Sequence, residues 1–363
     1  LCEPHLDGNE STYLKECIDS TWVSSSGFFL DQFEKKIEEF TGTKYAIACV
    51  NGTSALHISL KLADVEVGNE VLVPTLTFIA PINAVTYCGA SPVFFDCDKF
   101  HNFDLDSLEK FLKEETYSRD SATYNKSTNK LIRAIILVHV WGNSLDIDRA
   151  LKLGKDYNIS IIEDASESLG SIYHGEKRKF HTGTGGLLGC LSFNGNKIIT
   201  TGGGGAILTD NADIARRAKY LVSQAKDDPI EYLHNEVGYN YRLTNIQASL
   251  GLAQIEKIPE KIQKKREIHS FYKKHIDSDK GRAILEAPSY SLSNQWLNVV
   301  QLNSDMHDNW RALFKHLKDR GIETRPVWSL NHKQRALRDY QKYFITKAES
   351  VVQYSLCLPS SVG

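Results

Sequence analysis

The chain has 363 residues, 41% hydrophobic and 24% charged, with 43 Lys and Arg against 45 Asp and Glu. This mix is too apolar for a disordered chain, and a formal net charge of −2 supplies no field for holding a nucleic acid. At about 100–200 residues per domain, the length predicts two domains, or one large and one small.

Seven cysteines, at 2, 17, 49, 88, 97, 190 and 357, are odd in number and form no C-x-x-C pair. Neither a disulfide framework nor a metal site is expected, and the setting expected is a reducing cytoplasm. The charge-free run 71–95 holds Pro74, Pro81, Gly89 and Pro92, so it cannot form one membrane helix. No charged leader followed by an apolar core opens the sequence. It starts at Leu1 rather than Met, and further N-terminal residues are expected.

The first half alternates apolar strands with helical stretches. Residues 44–49 read as a strand, 53–62 as a helix, 70–74 as a strand, 79–87 as a helix and 92–95 as a strand. The polar stretch 118–130 reads as a surface excursion. Residues 131–140 form a near-continuous apolar strand, followed by a helix near 146–155 and a strand at 160–163. Two more strands, 190–193 and 206–209, flank a glycine run. This pattern predicts a mostly parallel sheet covered on both faces.

Beyond 209 the pattern changes. Residues 212–224 and 244–276 read as helices, 296–302 as a strand and 308–320 as an amphipathic helix. The polar stretch 223–241 lies near the expected boundary. The division expected is a large α/β domain over 1–240 and a smaller α+β domain over 241–363, opening with a long helix.

In such sheets ligands bind beyond the carboxyl ends of strands, so the residues after each strand are the candidates. Asn51-Gly52-Thr53-Ser54 joins a strand to a helix, where free backbone N–H groups and hydroxyls suit an anion or simply cap the helix. Glu163-Asp164 ends another strand, where a carboxylate could hold a metal, a ribose hydroxyl, a protonated ring nitrogen or a helix N-terminus. Ser192-Phe193-Asn194-Gly195-Asn196-Lys197 precedes Gly202-Gly203-Gly204-Gly205. Lys197 there suits a Schiff base, a phosphate contact or a plain surface position, and G-x-x-x-x-G-K-[ST] is absent. Together the anion cup, the strand-end carboxylate and the loop lysine match what pyridoxal phosphate needs. Its phosphate takes a helix N-terminus, its ring nitrogen a carboxylate and its aldehyde an amine.

With those residues in view, the chain resembles the DegT/StrS-type nucleotide-sugar aminotransferases, a pyridoxal-phosphate family of fold type I. The resemblance runs from Trp22-Val23-Ser24-Ser25-Ser26-Gly27 to Leu358-Pro359. It rests on NGTSALHI (51–58), PTLTFIAPINAV (74–85), EDASESLGS (163–171), SFNGNKIITTGGGG (192–205), GYNYRLTNIQAS (238–249) and RPVW (325–328). Relatives usually continue past the point where this sequence stops, so part of the small domain is expected to lie outside it.

The resemblance implies that Lys197 bonds the cofactor aldehyde and Asp164 the pyridine nitrogen. Thr53, Ser54 and Ser192 would hold the phosphate, and Phe78 would stack on the ring. Asn240 would reach the phosphate in a neighbouring subunit, making a homodimer with shared sites. Arg325, Trp328 and His332 would lie near the substrate. Without the resemblance, Phe78 and Trp328 read as core aromatics. Glu167 stands where many relatives carry Gln or His; it would mark the substrate branch, help proton transfer or sit exposed. EDASESLG with SFNGNKIITTGGGG most resembles the branch acting on UDP-linked 4-keto-6-deoxy-N-acetylhexosamines, in bacillosamine and legionaminic acid synthesis. Glutamate would be the amino donor, the cofactor cycling between its pyridoxal and pyridoxamine forms. The alternatives are a GDP- or dTDP-linked keto sugar, a sugar dehydratase or a non-catalytic sensor. Lys197 speaks against the dehydratase, because those relatives carry His at that position.

Overall fold

A computed structural model describes residues 1–228, 230–276, 280–303 and 310–363. Ahead of the first expected strand lie two helices that the strand-and-helix reading passed over, α1 (Glu10–Asp19) and α2 (Phe28–Thr41). α2 buries Phe29, Phe33 and Ile37, four residues apart on one stripe, and Gly42 ends it in the left-handed conformation. Next come β1 (Tyr45–Cys49), α3 (Gly52–Leu62), β2 (Glu70–Pro74), α4 (Ala80–Tyr87) and β3 (Ser91–Phe95), all near their expected places. A helix, α5 (Leu105–Glu114), and a hairpin, β4 (Thr116–Arg119) with β5 (Ala122–Asn125), follow. The expected surface excursion is therefore partly an ordered hairpin.

The chain continues with β6 (Ile132–Val138), α6 (Ile147–Asp156), β7 (Ser160–Asp164), a short pair β8 (Ile172–His174) and β9 (Lys179–His181), β10 (Leu188–Ser192), β11 (Gly205–Thr209) and α7 (Ala212–Val222). Residues 244–276 form two helices instead of one, α8 (Asn245–Glu256) and α9 (Ile258–His275). Lys257 leaves helical geometry at φ −98°, ψ 1°, and Pro259 in the first turn of α9 has no N–H to continue the ladder. The last elements are β12 (Arg282–Ile284), β13 (Ser291–Leu292), β14 (Asn298–Leu302), α10 (Trp310–Lys318), β15 (Arg325–Pro326), β16 (Lys342–Tyr343), α11 (Lys347–Tyr354) and β17 (Ser355–Leu358). Residues 308 and 309 of the expected helix 308–320 lie outside the described residues. The expected strand 296–302 begins only at Asn298, so Trp296 sits in the turn ahead of it.

Eight strands make one sheet in the order β1-β11-β10-β7-β6-β2-β3-β16. From β10 to β16 neighbours are parallel; β11 runs antiparallel to both β1 and β10. Alternate residues serve opposite cores. Val71, Val73, Ala134, Ile136 and Val138 pack with Leu56, Ile58 and Ile82 of α3 and α4. Leu72, Ile135 and Leu137 pack with Leu108, Phe111 and Leu153 of α5 and α6. Burial on both faces explains the unbroken apolar runs.

α8 lies against α1 and α2, where Ala248, Leu252 and Ile255 share a core with Phe33 and Phe193. A second, antiparallel sheet runs β12-β14-β17-β15. Ile284, Val300, Leu302, Leu356 and Leu358 cover one face of it, against Tyr272, Leu313 and Leu317 of α9 and α10. Two ties bind this region back to the large sheet. β16 pairs with β3. Buried Asp96, just past β3, accepts the N–H groups of Thr346, Lys347 and Ala348, each at 2.7 Å. Asp96→Ala should cost about 1–3 kcal/mol, because three backbone donors at the start of α11, one of them buried, lose their acceptor. Urea unfolding reads this as a lower midpoint; an unmoved midpoint would assign the docking to packing alone.

Candidate active site

The site is assembled from strand ends. Asn51 caps α3, its Oδ1 accepting from Ser54 N at 2.8 Å. The N–H groups of Gly52 and Thr53 have no protein acceptor among the described residues. β10 and β11 press against this turn. A Cβ on Gly52 would lie 2.9 Å from Ser192 Cβ, and one on Gly205 would lie 2.6 Å from the backbone of Asn51 and Gly52. Only glycine permits that approach.

β7 delivers two carboxylates and its pleat separates them. Glu163 accepts from Gly183 N (2.9 Å), Gly185 N (2.7 Å) and Gly186 N (2.6 Å), and meets His139 Nε2 at 2.8 Å. Burial opposes its ionisation, yet these partners hold its carboxyl below the usual range. Asp164 instead lines a cavity of about 310 Å³. Its carboxylate accepts from Ser166 N at 3.1 Å, and burial raises it against that bond and against the nearby Lys197 charge. A cationic N–H beside it would reverse that direction.

Lys197 and Glu167 meet in the same cavity, Lys197 Nζ lying 3.7 Å from Glu167 Oε1 and 4.2 Å above the Trp296 ring. Glu167 Oε2 accepts the backbone N–H of Trp141 at 2.8 Å. Burial pushes Glu167 up to about 7, with Lys197 and that N–H acting against it. Trp296 Nε1 donates to Asn196 O at 2.7 Å, and Trp328 stacks on Trp141 at 4.1 Å. Trp296 and Trp328 line the cavity, with Trp141 stacked behind Trp328.

Of the expected residues, Thr53, Phe78, Asp164, Glu167, Ser192, Lys197 and Trp328 line the cavity. Glu167 is buried there, which corrects the exposed reading of it. Four others stand apart. Ser54 is buried one step behind the cup. Asn240 is exposed, in an extended segment bridged to Ser223. Arg325 is exposed and held by Glu323 at 2.5 Å. His332 is buried, its Nδ1 2.7 Å from Thr75 Oγ1. Sequence reasoning missed Trp141 and Trp296. Trp141 follows β6, so the strand-end rule could have found it; Trp296 precedes a strand and carried no such signal. A separate cleft of about 460 Å³, lined by Phe271, Tyr272, Leu313 and Leu317 among others, shares no residue with this cavity.

These residues fit pyridoxal phosphate on their own chemistry. A glycine-opened helix N-terminus with the Thr53 and Ser192 hydroxyls suits a dianion. A buried carboxylate suits a ring N–H, and a lysine amine suits an aldehyde. Fold and site together define a pyridoxal-phosphate-dependent aminotransferase of fold type I. The chain belongs to the DegT/DnrJ/EryC1/StrS aminotransferase family, which matches residues 4–363. It is 39% identical over 336 residues to a GDP-perosamine synthase of Caulobacter vibrioides, covering 92% of this chain and 85% of the relative. It is 32% identical over 302 residues to a UDP-4-amino-4,6-dideoxy-N-acetyl-beta-L-altrosamine transaminase of Campylobacter jejuni, covering 83% of this chain and 76% of the relative. Its fold superimposes with a TM-score of 0.87 on PseC of Helicobacter pylori, an aminotransferase involved in pseudoaminic acid biosynthesis, at 25% identity over 99% of this chain and 92% of that one. Among the described residues, no helix is long and apolar enough to cross a membrane.

Glu167 gives the site a pH signature. Its folded value, about 7, lies above the ordinary 4.5. Its contribution to stability is therefore whole below about pH 4.5 and is lost as pH rises through 7. In the cofactor-free chain, Glu167→Gln should be more stable than wild type at pH 8, by on the order of 1–3 kcal/mol, and nearly equal at pH 5. Equal urea midpoints at pH 8 would mean that this carboxylate is not held ionised at a cost.

Proposed function

We propose that the chain transfers an amino group from glutamate to the C4 keto group of a nucleotide-linked 4-keto-6-deoxyhexose. The observation that carries this reading is one cavity holding Lys197, Asp164, Glu167 and the open N-terminus of α3. When bound, the cofactor supplies an aldehyde that takes up amino groups and a ring that accepts the electrons of a breaking C–H bond.

The chain's own residues do the rest. Gly52 N, Thr53 and Ser192 would hold the phosphate. Asp164 would keep the ring nitrogen protonated, and Phe78 would cover the ring. Lys197 Nζ would take the proton from the donor's α-carbon and deliver it to the carbon that was the cofactor's aldehyde; on the sugar it would run the same transfer in reverse. Glu167 Oε1, 3.7 Å off, stabilises the ammonium form each time Nζ takes a proton. Trp296 and Trp328 exclude water from that side. Asn240, exposed outside this chain's cavity, is proposed to complete the site of a second copy, giving a homodimer. A cytoplasmic enzyme on small-molecule substrates, with no nucleic acid or membrane partner, fits this reading.

The nucleotide has two readings. The EDASESLG and SFNGNKIITTGGGG motifs favour a UDP-linked N-acetylhexosamine, as does the 32% identity to the Campylobacter transaminase. The 39% identity to the Caulobacter GDP-perosamine synthase favours a GDP-linked sugar. Competition by UDP, GDP and dTDP separates them: the nucleotide that inhibits at the lowest concentration names the nucleotide carried by the amino acceptor.

Two substitutions test the chemistry. Lys197→Ala should remove turnover while leaving nucleotide binding intact; repeated turnover by this variant would end the assignment. Asp164→Asn should lower kcat by about 10²–10⁴-fold, because a neutral amide cannot keep the ring nitrogen protonated. An unchanged kcat would place Asp164 away from the ring.

A further inference from the structure

Trp141 is left-handed, at φ 61° and ψ 8°, a costly conformation for a bulky side chain. The turn that carries it is clamped from several directions. Asn102 Oδ1 accepts from Val140 N at 3.1 Å, while its Nδ2 donates to Ser144 O at 3.2 Å. Ser171 and Ser293 hydroxyls donate to Gly142 O at 2.7 and 3.1 Å. The Trp141 ring lies nearly flat on Trp328, at an interplanar angle of 11°.

The indole Nε1 donates to His101 Nδ1 at 3.2 Å. His101 is itself left-handed, at φ 68°, and fully buried. An indole N–H can only donate, so His101 Nδ1 offers a lone pair and the neutral ring carries its proton on Nε2. Burial, which pushes this imidazole down to about 3, keeps it neutral. The amide nitrogen of Gln301, on β14, is placed 3.0 Å from Nε2; because two N–H donors cannot bond each other, a protonated Nε2 requires this amide turned so that its oxygen accepts. What these contacts deliver is one backbone N–H, that of Trp141, set 2.8 Å from Glu167 Oε2 while Oε1 faces Lys197.

We propose that His101 and Trp141 are positioning residues: the chain Gln301–His101–Trp141 fixes the N–H that aims Glu167 at Lys197, and so links the second sheet to the reacting amine. This rests on the reading of Lys197 and Glu167 given above. Besides Lys197, the titratable groups that act on or respond to Glu167 are Asp164 and Cys357. Losing the Trp141 N–H would raise Glu167 and release its carboxylate from the position facing Lys197, weakening its hold on the ammonium.

The test compares His101→Leu, which removes both ring contacts, with His101→Gln, whose amide can keep them. In full-length cofactor-free protein, carbamylation of Lys197 by cyanate is followed against pH by peptide mass spectrometry. His101→Leu should move that profile down by about 0.5–1 pH unit. In the holoenzyme it should lower kcat about 10-fold with the KM for the sugar unchanged. His101→Gln should restore both. A wild-type profile and kcat in His101→Leu would overturn the proposal, as would His101→Gln being equally impaired. If His101→Leu does not fold, Gln301→Leu removes only the acceptor of the Nε2 proton. It should shift the profile less, in the same direction, and wild-type values there would also overturn the proposal. Turnover by Lys197→Ala would defeat the functional reading alone, because carbamylation reads the relay without turnover.

Discussion

A carboxylate that never enters the cavity organises its centre. Glu163 is fully buried and takes three backbone N–H groups from residues 183–186, with His139 beside it. These contacts pin the end of β7 to the segment leading into β10 and to the residue that follows β6. The neighbouring side chain, Asp164, must then point to the other side, into the cavity. A buried charge with this many partners is costly to disturb, because losing the carboxylate leaves three N–H groups without an acceptor and losing a partner leaves the charge less compensated. The position of Asp164 is thus set by a residue that does no chemistry.

The second constraint is shortage of space. Gly52 and Gly205 let β10 and β11 meet the start of α3 at backbone contact distance. This brings Ser192 beside Thr53, although they belong to different strand ends. The helix dipole then acts on a cup with hydroxyls on two sides. On the far side the cavity is closed by Trp296 and Trp328, which arrive from the region of the second sheet. The site therefore exists only when both sheets are in place.

The sequence made much of this legible where chemistry and strand ends coincide. Asp164 and Ser192 end strands, and Thr53 and Lys197 come shortly after strands, whose apolar runs are unmistakable, and each lines the cavity. The burial of Glu167 was not legible, because a carboxylate three residues past a strand reads as a surface group until the turn at Trp141 covers it. Trp141 and Trp296 were missed since aromatic residues are commonly core, and their roles depend on a left-handed turn and on packing between distant segments. α1 and α2 were overlooked although the Phe29, Phe33 and Ile37 spacing and Gly42 mark α2. The break between α8 and α9 was signalled by Pro259, which a pattern of apolar spacing alone overrode. Arg325 and His332 were expected from the resemblance alone; Glu323 and Thr75 partner them, and neither lines the cavity.

β16 has a consequence for how the chain is made. Its two residues pair with Phe94 and Phe95 of β3, and Gln341 O accepts from Phe94 N at 2.9 Å. Until residues 341–343 leave the ribosome, β3 is the bare border of a growing parallel sheet, offering free backbone groups beside buried aromatics. Such a border invites pairing with another nascent chain. The large sheet can gather early, but its protection against self-association is written long after β3 in the chain. A shortened chain that keeps every catalytic group would still be sticky, for want of two residues of strand.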